Sequence, residues 1–338
     1  MNILVTGGCG YIGSHTIVDL LENKYDVICV DNNSRSTTRL LAGAEQITGR
    51  SIPHYKTDLC NYEETRKIFE KNKIDGIIHF AAFKAVDESV REPLAYFQNN
   101  LISQINLLRL TEEFKVSCMV FSSSCSVYGN ADVIPVTEET PLKKAESPYG
   151  RTKQIGEDMI NDISKVSSAQ FVLLRYFNPA GAHPSTIIGE IPFGRPANLV
   201  PAITQFAAGK IPALKVYGTD YDTRDGSCLR DFIHVSDIAH AHTLAIDFLQ
   251  KKNQSKVEVF NLGTGNGVTV LEAIHAFERI SGMKLNYEIA GRREGDIVAV
   301  YANNDKARKL LKWDPRYGLD DMMRTAWEWE KKLLNHHQ

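Results

Sequence analysis

Short apolar runs alternate with stretches of helical spacing through the first 177 residues. Residues 3–6 (ILVT), 26–31 (DVICVD), 52–58, 74–80 (IDGIIHF), 118–123 (CMVFSS) and 171–177 (FVLLRYF) predict strands, the third the weakest. Helical stretches near 12–23, 61–72 and 93–114 lie between them. Strands that are apolar on both faces and alternate with helices predict a parallel sheet covered on both sides. Beyond residue 178 the pattern breaks. Pro179, Pro184, Pro192, Pro196 and Pro201 punctuate a stretch that predicts long loops of the kind that carry ligands. A helix near 236–251, a strand near 258–262 and helices near 269–281 and 319–335 follow. The pattern predicts an α/β chain: a doubly wound parallel sheet over 1–177 and a smaller C-terminal α/β lobe over 178–338 that lends elements back to the large sheet.

Composition narrows this reading. The 338 residues suit about two domains at about 150 residues each. With 39 basic and 41 acidic residues the net charge is −2, which argues against a nucleic-acid partner or an acidic tail. No run of about 18 apolar residues predicts a membrane span. The first residues have no basic segment and no long apolar segment, so no secretory signal is expected. Cys9, Cys29, Cys60, Cys118, Cys125 and Cys228 form no CxxC pair and read as reduced thiols of a cytoplasmic protein. No ligand spacing fits a zinc site, so no metal is expected.

Two motifs carry chemistry. Thr6-Gly7-Gly8-Cys9-Gly10-Tyr11-Ile12-Gly13 follows the first strand and opens the first helix. It reads as GxGxxG at Gly8, Gly10 and Gly13 and as GxxGxxG at Gly7, Gly10 and Gly13. A side chain there would block a pyrophosphate or the tight turn, and the helix N-terminus offers free N–H groups. Asp31 ends the next strand, 18 residues after Gly13. A carboxylate there accepts from a ribose diol and repels a 2′-phosphate, which favours NAD over NADP; Arg35 and Arg39 nearby weaken that preference. Together these features predict a Rossmann-type dinucleotide site. The second motif pairs Tyr149 with Lys153, one helical turn apart, on a helix opened by Ser147 and Pro148. A nearby ammonium favours the phenolate and makes Tyr149 a candidate general base. Ser122, Ser123 and Ser124 end the strand just before it, at the sheet edge where ligands bind.

TGGCGYIG, Asp31, the serine run at 122–124 and YxxxK at 149–153 together resemble the extended short-chain dehydrogenase/reductase family. FSSSCSVYG (121–129), SPYGRTK (147–153), LRYFNPAGAHPS (174–185), RDFIHVSD (230–237), NLGTG (261–265) and RREGD (292–296) resemble, more narrowly, its UDP-glucose/UDP-galactose 4-epimerases. The resemblance runs over about residues 2–335. It implies interconversion of UDP-hexoses by reversible hydride transfer at C4, through a 4-keto intermediate, on a bound NAD. In that scheme Tyr149 exchanges the 4-hydroxyl proton, Lys153 lowers the tyrosine pKa and holds a ribose, and Ser124 relays the proton. The resemblance also assigns Tyr11, Ile12, Asn32, Asp58, Leu59, Phe80, Ala81, Ala82, Lys84, Asn99, Ser122 and Tyr176 to the cofactor. It assigns Asn178, Asn198, Leu199, Tyr217, Arg230, Arg293 and Asp296 to the UDP-sugar. Arg230 could instead pair with Asp231, and Arg293 with Glu294 or Asp296.

Val300 stands four residues after the RREGD aspartate, where the resemblance places a residue that limits the sugar C2 substituent. Valine there implies tolerance of N-acetyl sugars. Nucleotide-sugar 4,6-dehydratases and UDP-glucuronate enzymes share the fold; the dehydratases carry an acid pair after the catalytic hydroxyl residue. Here Cys125 and Ser126 stand in that place. A non-catalytic NAD sensor could dispense with Tyr149 or Lys153, and both are present. The helices near 93–114 and after Tyr149 have apolar faces, which by the resemblance implies a homodimer.

Overall fold

A computed structural model describes residues 1–194, 196–251, 255–292 and 297–335. In chain order the first part runs β1 (Asn2–Thr6), α1 (Tyr11–Glu22), β2 (Asp26–Val30), α2 (Thr38–Thr48), β3 (His54–Tyr55), α3 (Tyr62–Lys71), β4 (Gly76–His79) and α4 (Val86–Arg91). It continues through α5 (Pro93–Glu113), β5 (Cys118–Ser124), α6 (Pro148–Ser164), β6 (Gln170–Tyr176) and β7 (Asn178–Ala180). Then come α7 (Leu199–Ala207), β8 (Lys215–Tyr217), β9 (Leu229–Arg230), β10 (Phe232–His234), α8 (Val235–Leu249) and β11 (Val257–Leu262). The last are β12 (Val268–Thr269), α9 (Val270–Ser281), β13 (Glu288–Ala290), β14 (Ala299–Val300) and α10 (Leu319–Asn335).

Seven strands pair in parallel in the order β11-β6-β5-β4-β1-β2-β3, a doubly wound sheet of Rossmann type. Successive residues of each strand point to opposite faces, and both faces are buried. Ile3, Val5, Cys29, Ile78, Val120, Val172 and Leu174 join the core on one face. Leu4, Ile28, Val30, Ile77, Met119, Phe121, Phe171 and Leu173 join the core on the other. This double burial is why those runs read as continuously apolar. β11 adds the outer strand beside β6. A separate core, with Ile203, Phe232, Phe277 and Met323 at its centre, lies under α7, α9 and α10. The strand order reverses between β1 and β4, which opens a crevice at their carboxyl ends.

Three helices escaped the sequence pattern. α2 carries Gly43 in its middle, because a side chain there would meet the Ile188 methyl at 2.5 Å. α4 is only six residues long. In α7, Pro201 falls in the first turn, where the N–H has no intrahelical partner to lose. The predicted strand at 52–58 is reduced to the two residues of β3.

Among the described residues, four buried histidines tie the fold to pH. Burial pushes His15, His79 and His234 down to about 3 and His242 to about 4. They stay neutral when folded and take up protons near pH 6.5 when unfolded, so stability is present above that range and lost below it. Each costs about 2 kcal/mol at pH 5 relative to pH 8. Urea unfolding at the two pH values is expected to show a large fall in midpoint at pH 5; equal midpoints would contradict it.

Candidate active site

Gly7 leaves β1 with φ +71°, and its N–H donates to Val30 O at 2.8 Å. A Cβ on Gly7 would lie 2.8 Å from Ala81 N, and one on Gly13 would lie 2.3 Å from Gly7 O. The loop therefore presses backbone against backbone, and only glycine fits. Gly10 N–H donates to Gly7 O at 3.0 Å, and α1 begins with no capping side chain and no acid in its first turn. That leaves an uncapped, positive helix end at the switch point, suited to a diphosphate. Ile12 packs half-buried against the core, and the Tyr11 hydroxyl donates to Gly181 O at 2.6 Å.

Asp31 follows β2 directly. Its carboxylate accepts from Cys9 N at 3.1 Å, Asn33 N at 2.9 Å and Ser36 Oγ at 2.8 Å, so it clamps the glycine loop. Arg35 pairs with Glu88 through both Nη atoms and stacks on Phe83, and Arg39 lies over Trp329. Both arginines named beside Asp31 are thus engaged elsewhere. Asn32 Oδ1 accepts from Ser34 N, and Asp58 Oδ1 from Cys60 N. Leu59 is buried, and its carbonyl accepts from Asn106. Phe80 N donates to Thr6 O and Ala81 N approaches Thr6 Oγ1, which sets the stretch through Ala82 beside the glycine loop. Asn99 bonds Asn100. Lys84 reaches Glu190 at 3.3 Å, and Asn198 bonds the same carboxylate at 2.9 Å.

The Ser147 hydroxyl caps α6 by accepting from Gly150 N at 3.1 Å, with Pro148 in the first turn. This start carries Tyr149 and Lys153 on one face, with Lys153 Nζ 5.9 Å from the Tyr149 ring centre. Lys153 is 5% exposed and donates to Ser122 O at 2.6 Å. Ser124 ends β5 and accepts from Ser126 N, and its side chain lies close enough to the Tyr149 phenol to favour the phenolate. Ser122 Oγ bonds Tyr176 OH, which closes the cluster. The three predicted catalytic side chains therefore converge.

Burial adds an effect that the helical spacing does not show. Burial pushes the Tyr149 phenol well above its ordinary value, with Tyr176 adding to the rise and Ser124 opposing it. Burial also pushes Lys153 down to about 8. Among the groups of this chain, desolvation has the largest effect on the tyrosine.

A polar network beneath these residues has no motif to announce it. Glu157, one turn after Lys153, accepts from Ser123 Oγ at 2.5 Å and pairs with Arg175 at 2.6 Å, both charges almost fully buried. Arg175 also donates to Tyr128 OH at 3.0 Å, and Tyr128 donates to Asn261 at 2.6 Å. The network joins β5, α6, β6 and β11. It was missed because its members lie 18 to 133 residues apart in sequence.

On the other wall, Asn178 lies in β7, and its buried Oδ1 has no partner among the described residues. Asn198 and Leu199 form the N-terminal end of α7, and Tyr217 ends β8. Arg230 donates to Leu229 O and to Ile297 O at 2.6 Å. Its neighbour Asp231 accepts from Thr264, Gly265 and Ala302. Val300 pairs in register with Arg230 and is buried with Val127 and Phe177. Arg293 and Asp296 lie outside the described residues.

The family profile described as GDP-mannose 4,6 dehydratase matches residues 4–326. The UDP-glucose 4-epimerase of Bacillus subtilis (strain 168) is 44% identical over 336 residues, 99% of this chain and 98% of its own. The chain belongs to the UDP-glucose 4-epimerase family. A crystal structure of UDP-glucose 4-epimerase from Bifidobacterium longum in complex with NAD+ and UDP matches at a TM-score of 0.95, with 44% identity and 99% of both chains covered. The UDP-Glc/GlcNAc 4-epimerase of Campylobacter jejuni matches at 0.85, with 36% identity over 98% of this chain and 99% of its own. The acid pair expected of dehydratases is replaced by Cys125 and Ser126 in a 3-10 turn after Ser124.

Removing one member of the buried ion pair strands the other. Glu157→Ala is expected to cost about 3–5 kcal/mol in urea unfolding, and Glu157→Leu with Arg175→Met to recover most of it. A Glu157→Ala loss below about 1 kcal/mol would contradict this reading of the network.

Proposed function

We propose that this chain is an NAD-dependent 4-epimerase of UDP-hexoses. The carrying observation is the convergence of Tyr149, Lys153 and Ser124 at the end of β5, with no acid beside Ser124. The first lobe, residues 1–177, holds the dinucleotide, and 178–338 mainly the UDP-sugar. Two features support the fit of the ligands: a backbone cradle at Gly7, Gly10 and Gly13 that a Cβ would fill, and the orphaned Asn178 Oδ1. Asp31 would hold the ribose diol, and the engagement of Arg35 with Glu88 supports NAD over NADP. The other cofactor contacts are those placed beside the crevice: Phe80, Ala81 and Ala82 after β4, with Ser122 and Tyr176 at the ends of β5 and β6.

When bound, NAD supplies the redox partner for the sugar C4 and a positive ring in the pocket. Tyr149 Oη takes and returns the 4-hydroxyl proton. Because burial holds Tyr149 as the phenol, it works as a base only where positive charge is close, and in a pocket this dry each such charge counts for much. Ser124 Oγ orients the hydroxyl beside it. Ser122 O anchors Lys153 Nζ one helical turn away. Arg230, with Arg293, would meet the diphosphate.

Three further features belong to the proposal. Val300 leaves room at the sugar C2 for an N-acetyl group, a breadth named for the Campylobacter jejuni relative. Leu94, Ile102 and Ile105 make an exposed apolar stripe on α5, which supports a homodimer built on α5 and α6. Six free thiols support a cytoplasmic setting, and no helix among the described residues is long and apolar enough to cross a membrane.

The test is to incubate the purified protein with UDP-glucose, UDP-GlcNAc and UDP-glucuronate separately, without added NAD, and to identify the products. UDP-galactose and UDP-GalNAc are expected, with no dehydrated or decarboxylated product. Val300→Tyr is expected to lower UDP-GlcNAc turnover at least about tenfold while sparing UDP-glucose. Unchanged N-acetyl turnover would contradict the role of Val300.

A further inference from the structure

We propose that Cys9, Cys29 and His54 form a binding site for one soft divalent cation of the zinc type, beneath the glycine loop. Cys29 of β2 and His54 of β3 are register partners on neighbouring parallel strands, so their side chains leave the sheet together. Cys9 sits between Gly8 and Gly10, and the bond from Gly7 N to Val30 O folds the loop over β2. Asp31 fixes Cys9 further by accepting from its N–H at 3.1 Å.

The result is a triangle of ligand atoms. Cys9 Sγ lies 3.9 Å from Cys29 Sγ and 3.6 Å from His54 Nε2, and all three atoms lie within 4.8 Å of one another. A tetrahedral zinc with bonds of about 2.3 Å to sulfur and 2.0 Å to nitrogen has S–S and S–N edges of about 3.8 and 3.5 Å. The two edges through Cys9 therefore already match coordination. Two thiols and an imidazole are also the donor set that zinc-type ions prefer.

The surroundings suit the ion. Both cysteines are fully buried, which shields the metal, whereas His54 is partly exposed and gives an entry side. A water on that side would complete the tetrahedron. Binding converts two thiols to thiolates and releases two protons to solvent, so the dication is balanced and no net charge is buried. Asp31, bonded to the Cys9 backbone, orients the ligand from outside the coordination shell. No ligand spacing along the chain announces this site, because 20 and 25 residues separate its members and only strand pairing joins them.

The experiment uses the full-length protein, washed with a chelator and titrated with Co2+ under reducing conditions. One ion per chain is expected, with the absorption bands of tetrahedral thiolate coordination, about two protons released and displacement by Zn2+. His54→Gln, on a partly exposed strand end, and Cys29→Ala are each expected to weaken Co2+ binding more than about 100-fold, since even outer ligands change affinity 10- to 100-fold. Circular dichroism checks that both variants remain folded. Absence of thiolate bands in the parent protein, or their persistence in folded His54→Gln and Cys29→Ala, would overturn the assignment.

Discussion

Tyr149 and Lys153 occupy one face of α6 with both of their charged forms penalised by burial. The phenol is pushed up, and the ammonium is drawn down to about 8. The phenol does not ionise readily on its own, and each charge brought into the pocket therefore weighs heavily. The proton-transfer chemistry depends on this dryness. A phenolate formed only when positive charge is at hand is a base that works at the right moment and is quiet otherwise. Ser124 and Ser122 act from the strand end: the first lies beside the phenol and favours its charged form, the other holds Lys153 by its carbonyl.

The sheet delivers these groups without loops having to find their place. β5 ends in the serine run, α6 begins just above it, and Glu157 and Arg175 lock the two to β6 and, through Tyr128, to β11. Across the switch point the glycine loop packs backbone on backbone against the end of β4, and Asp31 clamps it from below. Strand ends thus carry the Tyr149 cluster and the glycine loop, and in the proposed reading the segment beyond residue 177 supplies Asn178, Asn198, Tyr217 and Arg230 from short strands and a helix end.

Features encoded locally were legible in the sequence. The glycine turn, Asp31, the capped start of α6 and the doubly buried strands each carry their own signal. Residues 148–153 fold as their cap and spacing dictate. Long-range features were not legible. The Glu157–Arg175 pair, the orphaned Asn178 oxygen and the Cys9–Cys29–His54 triangle exist only once strands are in register. The burial that acts on Tyr149 was illegible for a related reason. Helical spacing reports proximity, but desolvation depends on everything packed around the pair, and here desolvation dominates. α7 was hidden because a proline in a first turn looks like a break in the chain.

The central claim is that oxidation and reduction at the sugar C4 occur on one retained cofactor, with Tyr149 moving the proton. The most direct measurement follows UDP-glucose deuterated at C4 through turnover in ordinary water with no NAD added. The account predicts UDP-galactose with the deuterium still at C4, and loss of that conversion in Tyr149→Phe. Loss of the label to solvent, a need for added NAD in the purified protein, or full activity in Tyr149→Phe would contradict it.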